Sequence, residues 1–185
     1  IVNVFLSGED MWLQPRHLLV AHANSSLELI ETVLADDTDH KMLVNGLTEI
    51  AVEEYAQVYH YDLQTGRPGM RFVQRTEALQ QQHSKYSNYT FTFPGTDLVR
   101  NNLILHLDAP AVECHLYGLY LASGQQLVDN HTEVHHKYPN GESNQLYKGV
   151  LLDKAKAVFN GKIYVYPDAQ KTNAFQQSNN ILFSN

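Results

Sequence analysis

Apolar residues along this chain come in short runs that alternate with polar ones. "HLLVAHA", "LELIETVL", "TEIAVEE", "AQVYHYDL", "YTFTF", "NLILHLD", "VECHLYGLYL", "QLVDNHTEVHH", "NQLYKGVLL" and "AVFNGKIYVY" each read as a strand. Turn residues separate them, among them Asn24-Ser25-Ser26, Thr65-Gly66-Arg67-Pro68-Gly69, Pro94-Gly95, Ser123-Gly124 and Pro139-Asn140-Gly141. One stretch, Arg75–His83 ("RTEALQQQH"), is rich in helix formers. Its apolar positions are too few for an amphipathic stripe, so it reads as a helix or as a polar strand. In the second half, strand starts recur near Leu98, Val112, Leu127, Leu146 and Val158. Steps of about a dozen to twenty residues suit stacked coils that bury their apolar faces on one another, and a sandwich also gives regular short strands. Hairpin signals are scarce. Asn140-Gly141 and Asn160-Gly161 are two of just three Asn-Gly pairs, with Asn45-Gly46, and Asn160-Gly161 lies inside a nearly unbroken strand-like run. The pattern predicts an all-β chain and leaves a parallel β-helix and a sandwich both open.

Composition narrows the function. The 185 residues suit one domain, and 43% hydrophobic against 18% charged residues allows a real core. The net charge of −7, without any Lys/Arg run, disfavours nucleic acid. No apolar stretch approaches the roughly 20 residues of a membrane span, and "IVNVFLSGED" lacks the features of a signal peptide. The single cysteine, Cys114, precludes an internal disulfide and fits a reducing, cytoplasmic setting. Three glycosylation sequons, at Asn24, Asn88 and Asn130, then read as chance occurrences. The chain starts without Met and stops at "NNILFSN", as a piece of a longer protein would.

The densest candidate chemistry is His131, Glu133, His135 and His136. In a strand, Val128, Asn130, Thr132, Val134 and His136 share one face, and the valines mark it as the inner one. Asp129, His131, Glu133 and His135 then form an outward row. His131 and His135 would sit ~13 Å apart, too far to share a metal ion bound at about 2 Å. A metal site here needs ligands from a neighbouring coil, for instance Cys114-His115; otherwise the row is a solvated polar ladder. Cys114 on an apolar strand reads as a small core residue. Glu49, Glu53 and Glu54 could supply a glycosidase-type acid pair or be solvated acids. No nucleophile-elbow, phosphate-loop, C-x-x-C or dinucleotide motif occurs.

One long stretch, Gly118–Ser184, carries "VDNHT", "LYKGVL", "AVFNGKIYV", "AQKTNAFQ" and "NNILFS" in fixed order. It resembles the SufB/SufD family of iron–sulfur cluster assembly proteins, on the SufD side. "PRHLLVAHANSSLELIE", "TEIAVEEYAQVYHYDLQ" and "DLVRNNLILHLDAPAVECHLYGLYL" extend the likeness over nearly the whole chain, more loosely from Phe72 to Phe93. The resemblance implies a right-handed parallel β-helix over residues 1–185, a single core domain without the family's N-terminal helical and C-terminal SufC-binding parts. It implies a non-catalytic scaffold that pairs with a SufB-like subunit and a SufC-like ATPase. It also implies that no cofactor resides in this chain, the iron–sulfur cluster being held transiently by the full complex. The loop after the "NHT" strand, "YPNGESNQ", has no Cys or His where many members carry one, which weakens His131 and His135 as metal ligands. An apolar end at Ile181, Leu182 and Phe183 is expected to meet a partner, or a second copy through the β-helix edge. The alternatives are a carbohydrate-active β-helix, lyase or hydrolase, and a generic β-rich interaction module.

Overall fold

The computed structural model describes residues 1–6, 8–36 and 38–183. Strand follows strand, with no helix among the described residues: β1 (Val2–Phe5), β2 (Met11–Leu13), β3 (Arg16–Ala21), β4 (Ser26–Ala35), β5 (Met42–Val52), β6 (Gln57–Gln64) and β7 (Met70–Gln80). β8 (Lys85–Thr92), β9 (Leu98–Leu107), β10 (Glu113–Ala122), β11 (Leu127–His136), β12 (Glu142–Leu152), β13 (Lys156–Val165) and β14 (Asn173–Phe183) complete it. One parallel sheet has the order β1-β4-β6-β8-β10-β12-β14. The other runs β13-β11-β9-β7-β5, with β2 and β3 both pairing with β5. From β4 onward the chain crosses between the sheets at every strand, so it winds a parallel β-helix of about 6 turns. The sandwich alternative is thereby excluded.

The winding has a local cause. Asn24, Tyr55, His83, Ala111, Asn140 and Lys171 all have φ between 56° and 62°. Each lies two residues before a strand of the first sheet, at steps of 31, 28, 28, 29 and 31 residues. One left-handed residue per coil turns the chain at one corner, and successive corners stack through backbone bonds such as Tyr55 N–H to Gln82 O (3.1 Å) and Asn140 N–H to Gln170 O (2.9 Å). Asn140-Gly141 is therefore a coil corner rather than a hairpin, and Asn160-Gly161 lies within β13.

Arg75–Gln80, with its ambiguous composition, closes β7. Thr76, Ala78 and Gln80 point inward and Arg75, Glu77 and Leu79 outward, with β5 and β9 paired on either side. The helical reading fails because neighbouring strands supply the hydrogen bonds that a helix would make internally. Inward residues form two apolar clusters. The larger contains Ile50, Val58, Tyr86, Leu105, Leu116, Tyr120, Val134 and Tyr147; the smaller contains Val33, Met42, Val44, Met70, Phe72 and Val99.

Candidate functional site

The outer face of the second sheet carries the histidine row. Strand alternation splits β11 as the sequence predicts: Val128, Asn130, Thr132, Val134 and His136 are buried, and the intervening residues face out. Parallel register places Leu79, His106, His135 and Tyr164 in one column across β7, β9, β11 and β13. The His135 ring stacks on His106 at 5.2 Å and on Tyr164 at 4.6 Å. His131 Nε2 lies 2.8 Å from Asp129 Oδ1, and His106 Nε2 lies 2.9 Å from Glu77 Oε1. Lys162 donates to Glu133 at 3.0 Å, and Arg100 donates to Asp129 at 3.1 Å. The Lys162 hydrogen bond holds Glu133 below the usual carboxylate range. Burial, with His106 beside it, lowers the pKa of His135, which favours the neutral ring at neutral pH.

His131, His135 and Cys114 do not converge. Cys114 belongs to β10 in the other sheet, points inward and is fully buried between Tyr86 and Ser143 of the neighbouring coils. Burial pushes its thiol pKa far up, so it is a poor thiolate ligand or nucleophile. No group of three or more His, Cys, Asp or Glu able to hold a metal occurs among the described residues. Native protein should therefore resist thiol reagents until it unfolds, which stopped-flow labelling with and without denaturant measures. Two of the three acids of the glycosidase alternative have different settings. Glu49 faces out from β5, whereas Glu53 accepts from Ala23 N–H at 2.9 Å and sits 3.3 Å from His22 Nδ1 at a corner. The sequons at Asn88 and Asn130 are each 2% exposed and closed to modification in the folded chain.

A second constellation lies inside the coils and escaped the motif reading. Register stacks Glu31, Asp62, Thr90, Gly118, Tyr147 and Ser178 in one inward column. Glu31 accepts from Thr48 at 3.2 Å, and its two oxygens lie 3.5 Å from His17 Nε2 and 3.4 Å from His60 Nε2. Burial opposes its charge, but His60, His17 and Thr48 together outweigh that and lower its pKa. His60 Nδ1 meets the Tyr86 hydroxyl at 3.0 Å. Asp62 accepts from Gln64 at 2.7 Å, yet burial, with Glu31 nearby, raises its pKa to about 6. Two small cavities of about 10 Å³ each share Asp62, Gln74 and Thr76 in their walls, each about the size of a single water. The readable signal was parity: in "LELIETVL", Glu31 alternates in phase with Leu27, Leu29 and Val33.

A third region is β14, which pairs with β12. Ile181, Leu182 and Phe183 are 57%, 66% and 61% exposed. Ile181 and Phe183 face out with Val150 and Leu152 of β12, and Leu182 faces the interior side.

Comparison with known proteins agrees with this architecture. The family model described as SUF system FeS cluster assembly, SufBD core domain, matches residues 4–185. An iron–sulfur cluster assembly SufBD family protein of Synechocystis is 30% identical over 191 residues, covering 98% of this chain and 42% of that protein. The chloroplastic protein ABCI7 of Arabidopsis thaliana is 25% identical, covering 91% of this chain and 35% of that protein. The iron–sulfur cluster assembly protein SufD of Escherichia coli is 25% identical, covering 88% and 40%. The chain thus spans about two fifths of the length of these relatives. With the match running over nearly every coil, the chain belongs to the SufBD core-domain family of SUF-system iron–sulfur cluster assembly proteins.

Proposed function

We propose that this chain is a non-catalytic, SufD-like scaffold of the SUF machinery, pairing with a SufB-like subunit and, in the complete protein, with a SufC-like ATPase. The observation that carries the reading is the core-domain match over residues 4–185. The site chemistry supports it. The outward acids of the second sheet are already engaged by His106, His131 and Lys162, and Cys114 is sealed. The cluster is cargo, passing through the assembled complex without a resident cofactor in this chain. We place the protein in the cytoplasm; no helix among the described residues is long and apolar enough to cross a membrane.

The docking residues we assign are Ile181, Leu182 and Phe183 of β14, three exposed apolar side chains. Exposed apolar side chains gathered at one strand suit burial against a partner. The test is co-expression of the intact protein with the SufB-like and SufC-like proteins of the same organism. One complex containing all three is expected. Elution of this protein alone, while the other two still associate, would refute the scaffold role.

A further inference from the structure

We infer that Tyr61, Tyr89 and Tyr117 form an oxidative cross-linking site, at which the loss of two electrons joins neighbouring coils through a dityrosine bond. The three recur at steps of 28 residues, one coil each, and parallel register sets them side by side across β6, β8 and β10. Tyr89 stacks on Tyr61 with ring centroids 4.9 Å apart and planes inclined by 12°, and on Tyr117 at 5.2 Å and 27°. Among the described residues no other tyrosine ring stacks on a tyrosine. Tyr55 stacks on His83, Tyr164 stacks on His135, and Tyr147 packs on Phe159. Paired strands lie ~4.8 Å apart, so the backbone ladder itself holds the three rings near contact. The spacing is internal to the chain and holds whatever covers the sheet in the complete protein.

Stacking favours the first step, because a ring that loses an electron becomes a cation between the π-faces of its neighbours. Tyr89 has such a neighbour on each side. Each of two adjacent phenols gives up one electron and one proton. The two phenoxyl radicals then join through a carbon–carbon bond between ring carbons ortho to the oxygens, and the displaced ring hydrogens move to those oxygens. The oxidant is a peroxide: hydrogen peroxide takes up the two electrons and two protons and leaves as two waters. The chain gains no atom and loses two hydrogens. Fixed neighbours make the coupling step intramolecular, which favours it over capture of a radical by another molecule. The product closes a loop of one coil, between residues 61 and 89 or between 89 and 117. It restricts the unfolded chain as a disulfide does, in a protein chain whose single cysteine, Cys114, cannot form an internal one.

The test treats the intact protein, as an equal mixture of natural and heavy-isotope-labelled copies, with hydrogen peroxide and a small haem peptide as catalyst. Proteolysis and mass spectrometry should then find peptides joining Tyr61 to Tyr89, or Tyr89 to Tyr117, two hydrogens lighter than their sum. Both halves should come from the same copy, and dityrosine fluorescence should appear. The cross-linked fraction should unfold at higher urea. Tyr89→Phe keeps the ring stack and should lose both links, with the circular dichroism of the sheets unchanged. Tyr61→Phe should lose only the first link, and Tyr164→Phe, on the opposite sheet, should lose neither. Links that persist in Tyr89→Phe would overturn the inference. So would links found only between natural and labelled copies, or tyrosines left intact where free tyrosine couples. Binding of the SufB-like subunit enters none of these readouts, which keeps the result separate from the scaffold role.

Discussion

Gly118→Ala and Gly149→Ala are each expected to destabilise the chain by more than about 3 kcal/mol, enough to lose the native coils around β10 and β12. The two glycines are halves of one device. β10 reads Gly118-Leu119-Tyr120 and β12 reads Tyr147-Lys148-Gly149, and parallel register sets Gly118 beside Tyr147 and Tyr120 beside Gly149. Each ring lies over the other strand's glycine. A Cβ at Gly118 would fall closer than 3.0 Å to two ring atoms of Tyr147; one at Gly149 would do the same to Tyr120 and to Asn180 Oδ1, the acceptor of the Tyr120 hydroxyl. Tyr120 and Tyr147 are 1% and 2% exposed and close-packed, so neither ring can swing away without opening the coil. Gly46→Ala is the contrast: its Cβ would meet Gln74 and Pro15 at 3.6 and 3.8 Å, ordinary contact beside a small cavity, and should be tolerated. Urea denaturation of the three variants measures this. Combining Gly118→Ala with Tyr147→Leu should cost less than the sum of the single changes, since they share one contact.

Asp62→Asn is expected to stabilise the chain by about 1–3 kcal/mol at pH 7–8 and to have little effect near pH 4. The folded pKa of Asp62, about 6, lies above the 3.8 of an aspartate in the unfolded chain, so the folded state holds that proton more tightly. As pH rises from about 4 through 6, ionising a buried carboxyl beside Glu31 takes stability away, and asparagine removes that penalty while still accepting from Gln64. His136 has the opposite sign. Burial lowers its pKa from 6.5 to about 4, with Ser143 at 2.9 Å from Nε2, so its contribution is complete above pH 6.5 and is lost as pH falls toward 4. Glu31, with its lowered pKa, adds to the acid side. In the natural chain the Asp62 and His136 slopes oppose each other between pH 4 and 6, which flattens the profile. Asp62→Asn should unmask the acid-side loss, visible as a steeper fall in unfolding free energy between pH 6 and 4.5. An unchanged profile would mean that Asp62 is solvated in the folded state.

Much of this was legible residue by residue, because strand alternation is a local property. The split of β11 into buried Val128, Asn130, Thr132, Val134 and His136 and an outward Asp129–His135 row follows from parity alone. The coil step was readable only loosely, since the corner residue has no fixed identity: Asn24, Tyr55, His83, Ala111, Asn140 and Lys171 do the same job with a shared backbone angle rather than a shared side chain. Val112, Leu146 and Val158 were close to the strand starts at Glu113, Glu142 and Lys156 but not on them, because polar residues open each strand. The interior polar column was hidden for a different reason. Parity turns Glu31 and His60 inward, but which coil faces which, and so that His17, Thr48 and His60 meet one carboxylate, depends on register between distant strands. The same limit applied to Cys114, whose distance from the histidine row follows from its sheet, not its sequence neighbours.

Hydrogen exchange of the intact protein, with and without the SufB-like subunit, is the most direct check on a scaffold proposed to meet its partner through β14. Slowed exchange is expected along β14, from Asn173 to Phe183, with the ion-paired face of β9 and β11 unaffected. Binding that leaves the β14 amides as fast as before, or no binding at all, would contradict it.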